Sequence, residues 1–161
     1  MGVRSRTPHL ASFGGSFIRM TLEQRVQRLE DRAALEELVA AYCRGADSRD
    51  AELFSSVWHE DAIWDVGTHI FHGHKEIMSA VARQWEAFPS MNHWTTNSRY
   101  SIDGDRAVAD HDVAALTALG DDSSVLSAGH YRDEFERRDG NWKFTKRTAA
   151  VLTTVDVSPR T

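Results

Sequence analysis

Two spacings of apolar residues divide the chain. Leu22, Val26, Leu29 and Ala33 follow a helical period, and so do Leu35, Leu38, Val39 and Tyr42. Thr21 opens this run in "TLEQ", a capping box completed by Gln24. The pattern predicts a helix running to about Arg44, with Gly45 as its C-terminal stop and Asp47 just past its end. A short second helix is expected from Asp50 to Trp58. "AIWDVG" then reads as a strand and "HIFHG" as its partner or continuation. "HKEIMSAVARQWEAF" reads as a third helix, with Ile77, Val81 and Trp85 on one face and Pro89 ending the region.

Beyond Pro89 the period changes to two. Residues 92–103 alternate and end in the turn "DGD". "RAVADHDVAALTAL", "VLSAGHYRDEFERR" and "WKFTKRTAAVLTTV" follow as strands, separated by "DDSS" and "RDGN". Helices followed by four long antiparallel strands predict an α+β domain, with the helices packed on one face of a curved sheet. Residues 21–157 read as one domain, 1–20 as a flexible tail and 158–161 as a C-terminal tail. Met20 is a candidate natural start, because the helix begins directly after it.

Composition narrows the function classes. The 161 residues are 41% hydrophobic and 27% charged, as in ordinary soluble domains, and long enough to bury a core. A net charge of −5 argues against a nucleic-acid surface and against a polybasic membrane contact. No apolar run is long enough to span a membrane, and the first 20 residues lack the apolar centre of a secretory signal. Arg6 breaks the myristoylation pattern that Met1-Gly2 would begin. The single Cys43 excludes an intrachain disulfide, fits a cytoplasmic protein and is expected to be a buried thiol.

Several polar residues fall where a pocket would be built. His93 stands in "MNHWTTN" at the start of an alternating stretch. Lys146 and Arg147 are neighbours in a strand, so one of them points inward, and Arg147 is preferred. Of His111 and Asp112 only one faces a pocket, and His130 on the next strand is a further inward candidate. "HIFHGH" holds His69, His72 and His74, but without Cys or acidic companions it reads as a loop rather than a metal site. "GGSF" lacks the Lys of a phosphate loop.

The stretches "LEDRAALEELVAAYCRGADSRD", "LFSSVWHEDAIWD" and "YRDEFERRDGNWKFTKR" resemble the SnoaL-like family of the nuclear transport factor two-like superfamily. The resemblance covers roughly residues 22–155 and is nearest to its dehydrochlorinase, bile-acid dehydratase and scytalone dehydratase branches. It implies a cone-shaped barrel, a curved, mainly antiparallel sheet wrapped around N-terminal helices, with an apolar pocket inside. By motif it implies catalytic roles for Asp47 in "GAD", His93 in "HWTTN" and Arg147 after "WKFTK", and for Tyr42, five residues before Asp47 as in the hydro-lyases. Trp64 in "AIW" becomes pocket wall, and Asp112, His111, Trp94 and His130 become substrate-binding candidates.

The implied chemistry is elimination of water or halide from a small, mostly apolar cyclic or polyketide-like substrate. His93 is the base and Asp47 orients it. No metal or organic cofactor is implied, and the expected partners are a small-molecule substrate and a second or third copy of the chain, in a homodimer or homotrimer. An isomerase or aldol-type cyclase, or a non-catalytic binding module resembling an oxygenase small subunit, are the alternatives on the same scaffold.

Overall fold

The computed structural model describes residues 20–120 and 122–159. The expectations for residues 1–19, including the tail and the choice of start, lie outside the described residues, as do residues 160 and 161. Three helices come first: α1 Leu22–Ser48, α2 Ala51–Ser56 and, after strands β1 Trp58–Asp65 and β2 Ile70–His72, α3 Gly73–Ala87. Four long strands follow: β3 Ser90–Asp103, β4 Arg106–Ala118, β5 Ser124–Arg138 and β6 Asn141–Asp156.

Helix α1 starts as its sequence predicts. The Thr21 hydroxyl accepts from the Gln24 N–H, and the Gln24 side chain accepts from the Thr21 N–H. Its end differs. The helix continues through Gly45 to Ser48, and Arg49, in the left-handed region at φ 58°, closes it. Gly45 serves packing rather than termination: a Cβ there would sit 2.7 Å from the Phe54 backbone nitrogen, so glycine lets α2 cross at contact distance. Asp47 therefore lies in the last turn of α1, not beyond it.

The six strands form one sheet in the order β2-β1-β6-β5-β4-β3. All neighbours are antiparallel except β1 and β6, which run parallel with Trp64 beside Arg147. "HIFHG" is thus the partner of the preceding strand. The sheet stays open, with β2 and β3 as its edges, and wraps around the helices without closing a full barrel. Helix α1 packs against β3 and β6, and α3 against β1.

Aromatic rings fill the space between the layers. Tyr42, Phe54, Trp58, Trp64 and Phe144 make mutual ring contacts with centroids between 5.1 and 6.5 Å apart. Cys43 joins this core, and burial pushes its thiol up to about 11. At one end, buried Asp31 of α1 accepts from Arg137 and from the Trp142 indole, tying the helix to the β5–β6 hairpin. At the other, the Trp85 indole donates to Ala46 O, and Arg49 donates to Phe88 O and Pro89 O. These bonds fix the last turn of α1 against the start of β3. Among the described residues no helix is long and apolar enough to cross a membrane.

Candidate active site

Strand alternation puts Met91, His93 and Thr95 of β3 on the inner face and Asn92, Trp94 and Thr96 on the outer one. Facing the last turn of α1, His93 meets Asp47. Its Nδ1 lies 2.5 Å from Asp47 Oδ1, and its backbone N–H donates to Asp47 Oδ2 at 2.8 Å. One carboxylate thus holds both the ring and the chain beneath it, which leaves ring rotation little freedom. With Nδ1–H donating to Asp47, Nε2 carries the lone pair, and His93 lines a cavity of about 300 Å³.

The cavity is mostly apolar. Met91, Val113, Ala115, Val125, Ala149 and Val151 contribute to its wall, and Tyr42, Trp64, Gln84, His93, Thr117, Ser127 and Tyr131 are the lining residues with polar side chains. Exposed Leu119 and Val151 stand at its rim. Trp64 is 5% exposed, and its indole N–H is buried without a hydrogen-bond partner. A buried donor without a partner costs about 1–3 kcal/mol.

Arg147 points inward and is fully buried, but it does not border the cavity. Asp133 takes its charge, accepting from Nε at 2.8 Å and from Nη2 at 2.6 Å. The guanidinium carbon sits 4.0 Å from the Tyr42 ring centroid and 4.2 Å from that of Tyr131. The two tyrosines therefore screen it from the cavity, and Nη1 is left buried without a partner. Burial opposes charge on Asp133, yet the facing guanidinium wins and holds its carboxyl below the ordinary value. Burial likewise drives both phenols upward, partly offset by Arg147, so Tyr42 and Tyr131 stay protonated donors.

The remaining candidates separate by strand face. His111 points inward, as one of the two alternatives, but sits below the cavity. Its Nδ1 is 2.7 Å from Ser98 Oγ and its Nε2 3.1 Å from Asp133 Oδ2. A bulge at Asn97, with φ 53°, sets two residues of β3 against one of β4 and turns Ser98 inward to reach it. Asp112 and His130 pair with each other on the outer face, 2.9 Å apart and about half exposed. Trp94, 50% exposed, also faces outward. These three do not line the cavity, because each neighbours in sequence a residue whose side chain points in. The stretch expected as a loop is instead the end of β2 and the start of α3: His72 closes the strand, and His74, in the first turn of the helix, lies 2.9 Å from Ser55 Oγ and does not line the cavity.

Tyr131 and Asp133 were not singled out from the sequence. The signal was present: in "YRDEF", Tyr131, Asp133 and Phe135 share one strand face, so a buried Phe135 places the other two inside.

Comparison with known proteins agrees with this architecture. The SnoaL-like domain matches residues 27–148. Gamma-hexachlorocyclohexane dehydrochlorinase of Sphingobium indicum is 33% identical over 130 residues, covering 78% of this chain and 83% of the relative. The crystal structure of a type 3 hexachlorocyclohexane dehydrochlorinase from Novosphingobium barchaimii superposes with a TM-score of 0.78 at 31% identity, over 83% of this chain and 94% of that one. A protein of Novosphingobium aromaticivorans described as having a cystatin-like fold gives 0.71 at 27% identity, over 81% and 88%. The matched span and these identities place the protein in the SnoaL-like family.

Proposed function

We infer that the protein is a lyase that removes a proton and a leaving group from neighbouring carbons of a small, mostly apolar, cyclic or polyketide-like substrate. The observation that carries this reading is the Asp47–His93 pair at the edge of an apolar cavity. His93 Nε2 takes the proton. The C–H electron pair becomes the new C=C bond, and the leaving group departs with the electrons of its own bond. The imidazolium so formed is stabilised by Asp47. The step balances without a metal or organic cofactor.

The departing group needs donors, and two phenols in the cavity lining carry them. The Tyr42 and Tyr131 hydroxyls are neutral donors for a developing anion. Arg147, neutralised by Asp133, acts by polarising the two phenols rather than by touching the substrate. Chloride is the leaving group that the relatives' names suggest, and hydroxide is the one that two phenols would suit.

The test combines a substrate screen with one variant. Chlorinated rings and hydroxy-ketones are offered, and products are read by mass and by chloride release. His93→Gln lowers turnover by about 10²–10⁴-fold while its circular dichroism matches the parent. A fully active His93→Gln variant removes the assignment, and a product of unchanged mass replaces elimination with isomerisation or cyclisation.

A further inference from the structure

The cavity carries polar groups on both sides of the row that holds the base. Strand β4 runs from its floor toward its mouth, and every second residue points in: His111 below the floor, then Val113, Ala115 and Thr117, with Leu119 at the rim just past the strand's end. Ala115 is the cross-strand partner of His93, and Thr117 that of Met91. Thr117 therefore stands one row nearer the mouth than the base, about 7 Å along the strand. The phenols lie toward the other end, since Tyr131 is the partner of His111.

Helix α3 brings a second polar group to the same space. Its inward stripe runs Ile77, Ala80, Val81, Gln84, Trp85 and Phe88 at helical spacing. Gln84 is the one amide in a stripe that is otherwise aliphatic or aromatic, and it lines the cavity one turn before Phe88. The fold uses neither of these two side chains. Ser127, also in the lining, has Thr154 Oγ1 at 2.9 Å, but among the described residues Gln84 and Thr117 make no side-chain hydrogen bond. An amide offers a carbonyl acceptor and an NH₂ donor, and a hydroxyl both donates and accepts. Covering them with a hydrocarbon or a carbon–halogen surface strips their water and leaves them without partners. A hydroxyl or carbonyl of the ligand replaces that water.

We propose that Gln84 and Thr117 are specificity-determining residues, which select a substrate that keeps a hydroxyl or carbonyl oxygen at the end remote from the phenols, in addition to its leaving group. The proposal rests on the elimination reading given above. It narrows the substrate to an oxygenated ring or polyketide-like compound, against a ring whose only heteroatoms are halogens. With the leaving group toward Tyr42 and Tyr131 and the retained oxygen toward Gln84 and Thr117, the reacting carbons rest in the row of His93.

Calorimetric titration of the full chain with rigid probes tests this apart from the reaction. A naphthalenediol with its hydroxyls at opposite ends carries two oxygens, and the matching naphthol carries one. The parent is expected to bind the diol about tenfold more tightly. In the double variant Gln84→Leu, Thr117→Val, with circular dichroism matching the parent, the ratio of the two affinities falls to near one. Should the double variant fail to fold, each single variant lowers the ratio in part. Equal binding of diol and naphthol by the parent overturns the proposal, as does a preference for the diol that survives both substitutions. Among compounds that the screen shows to be turned over, the double variant lowers kcat/KM for oxygenated rings about tenfold relative to halogen-only rings, through KM more than kcat. A preference for the diol in a protein that eliminates from no compound upholds these two residues and removes the lyase reading; elimination without that preference does the reverse.

Discussion

Asp47–His93 and Asp133–His111 are the same two residue types in close contact, at two depths of one molecule. The first pair has side chains 10% and 17% exposed, the second none. At His93 one ring nitrogen is held by Asp47, and the residue lines the cavity. At His111 both nitrogens have neighbours, Ser98 and Asp133, and the carboxylate is shared with Arg147. Proton abstraction needs an open nitrogen and a path to substrate. Pairing alone does not make a base; the depth of the ring and the third charge beside it set how open a histidine is to proton transfer.

The largest break between the pairs is expected in turnover. His93→Gln lowers kcat by about 10²–10⁴-fold and leaves the melting temperature near that of the parent, whereas His111→Gln shifts melting and retains measurable turnover. Rates and thermal scans on both variants check this. Next in size is stability. Asp133→Ala strands the buried Arg147 charge and destabilises by about 3–5 kcal/mol in denaturant titration, while Asp47→Ala, at the cavity edge, destabilises less.

The same buried carboxylate sets an acid limit. Asp133 has a folded pKa below its unfolded value of about 3.9, so its contribution is fully present above that pH. That contribution is lost as pH falls through the folded value. Melting temperature therefore drops below about pH 4, and an Asp133→Asn, Arg147→Met double variant shows a shallower drop. A smaller effect is expected at Tyr131→Phe, which keeps the ring over Arg147 but removes a donor worth about 1 kcal/mol, lowering kcat several-fold. Smallest of all, Asp112→Ala or His130→Ala on the outer face leaves both rate and melting unchanged. A rate loss there would mean that the outer pair communicates with the cavity.

Local chemistry made much of the fold legible. The Thr21 capping box, the alternation after Pro89 and the turns "DGD" and "RDGN" each act within a few residues, and each appears where expected. The misreadings came from contacts between distant segments. Gly45 looked like a helix stop because glycine often is one, yet its role is set by Phe54 of another helix. Leu22, Val26 and Leu29 shared a period with the residues after them, but period alone does not tell which stripe meets the core. At the site, His93 and Asp47 are brought together from separate elements. Arg147's inward direction followed from parity, but its shielding by Tyr131 and its capture by Asp133 depend on a neighbouring strand. Trp94, Asp112 and His130 were placed by residue type where alternation already pointed them outward.

The parallel pairing of β1 with β6 also sets an order of assembly. Trp64 and Arg147 are side by side in the sheet but about 80 residues apart in sequence, a costly loop to close early. Strand β6 lies between β1 and β5, so neither side of the sheet is joined until it arrives. During synthesis the helical half is made first and waits with Tyr42, Phe54 and Trp58 uncovered. Folding is then governed by a late, non-local step, and the chain's exposure to aggregation is greatest just before its last strand emerges.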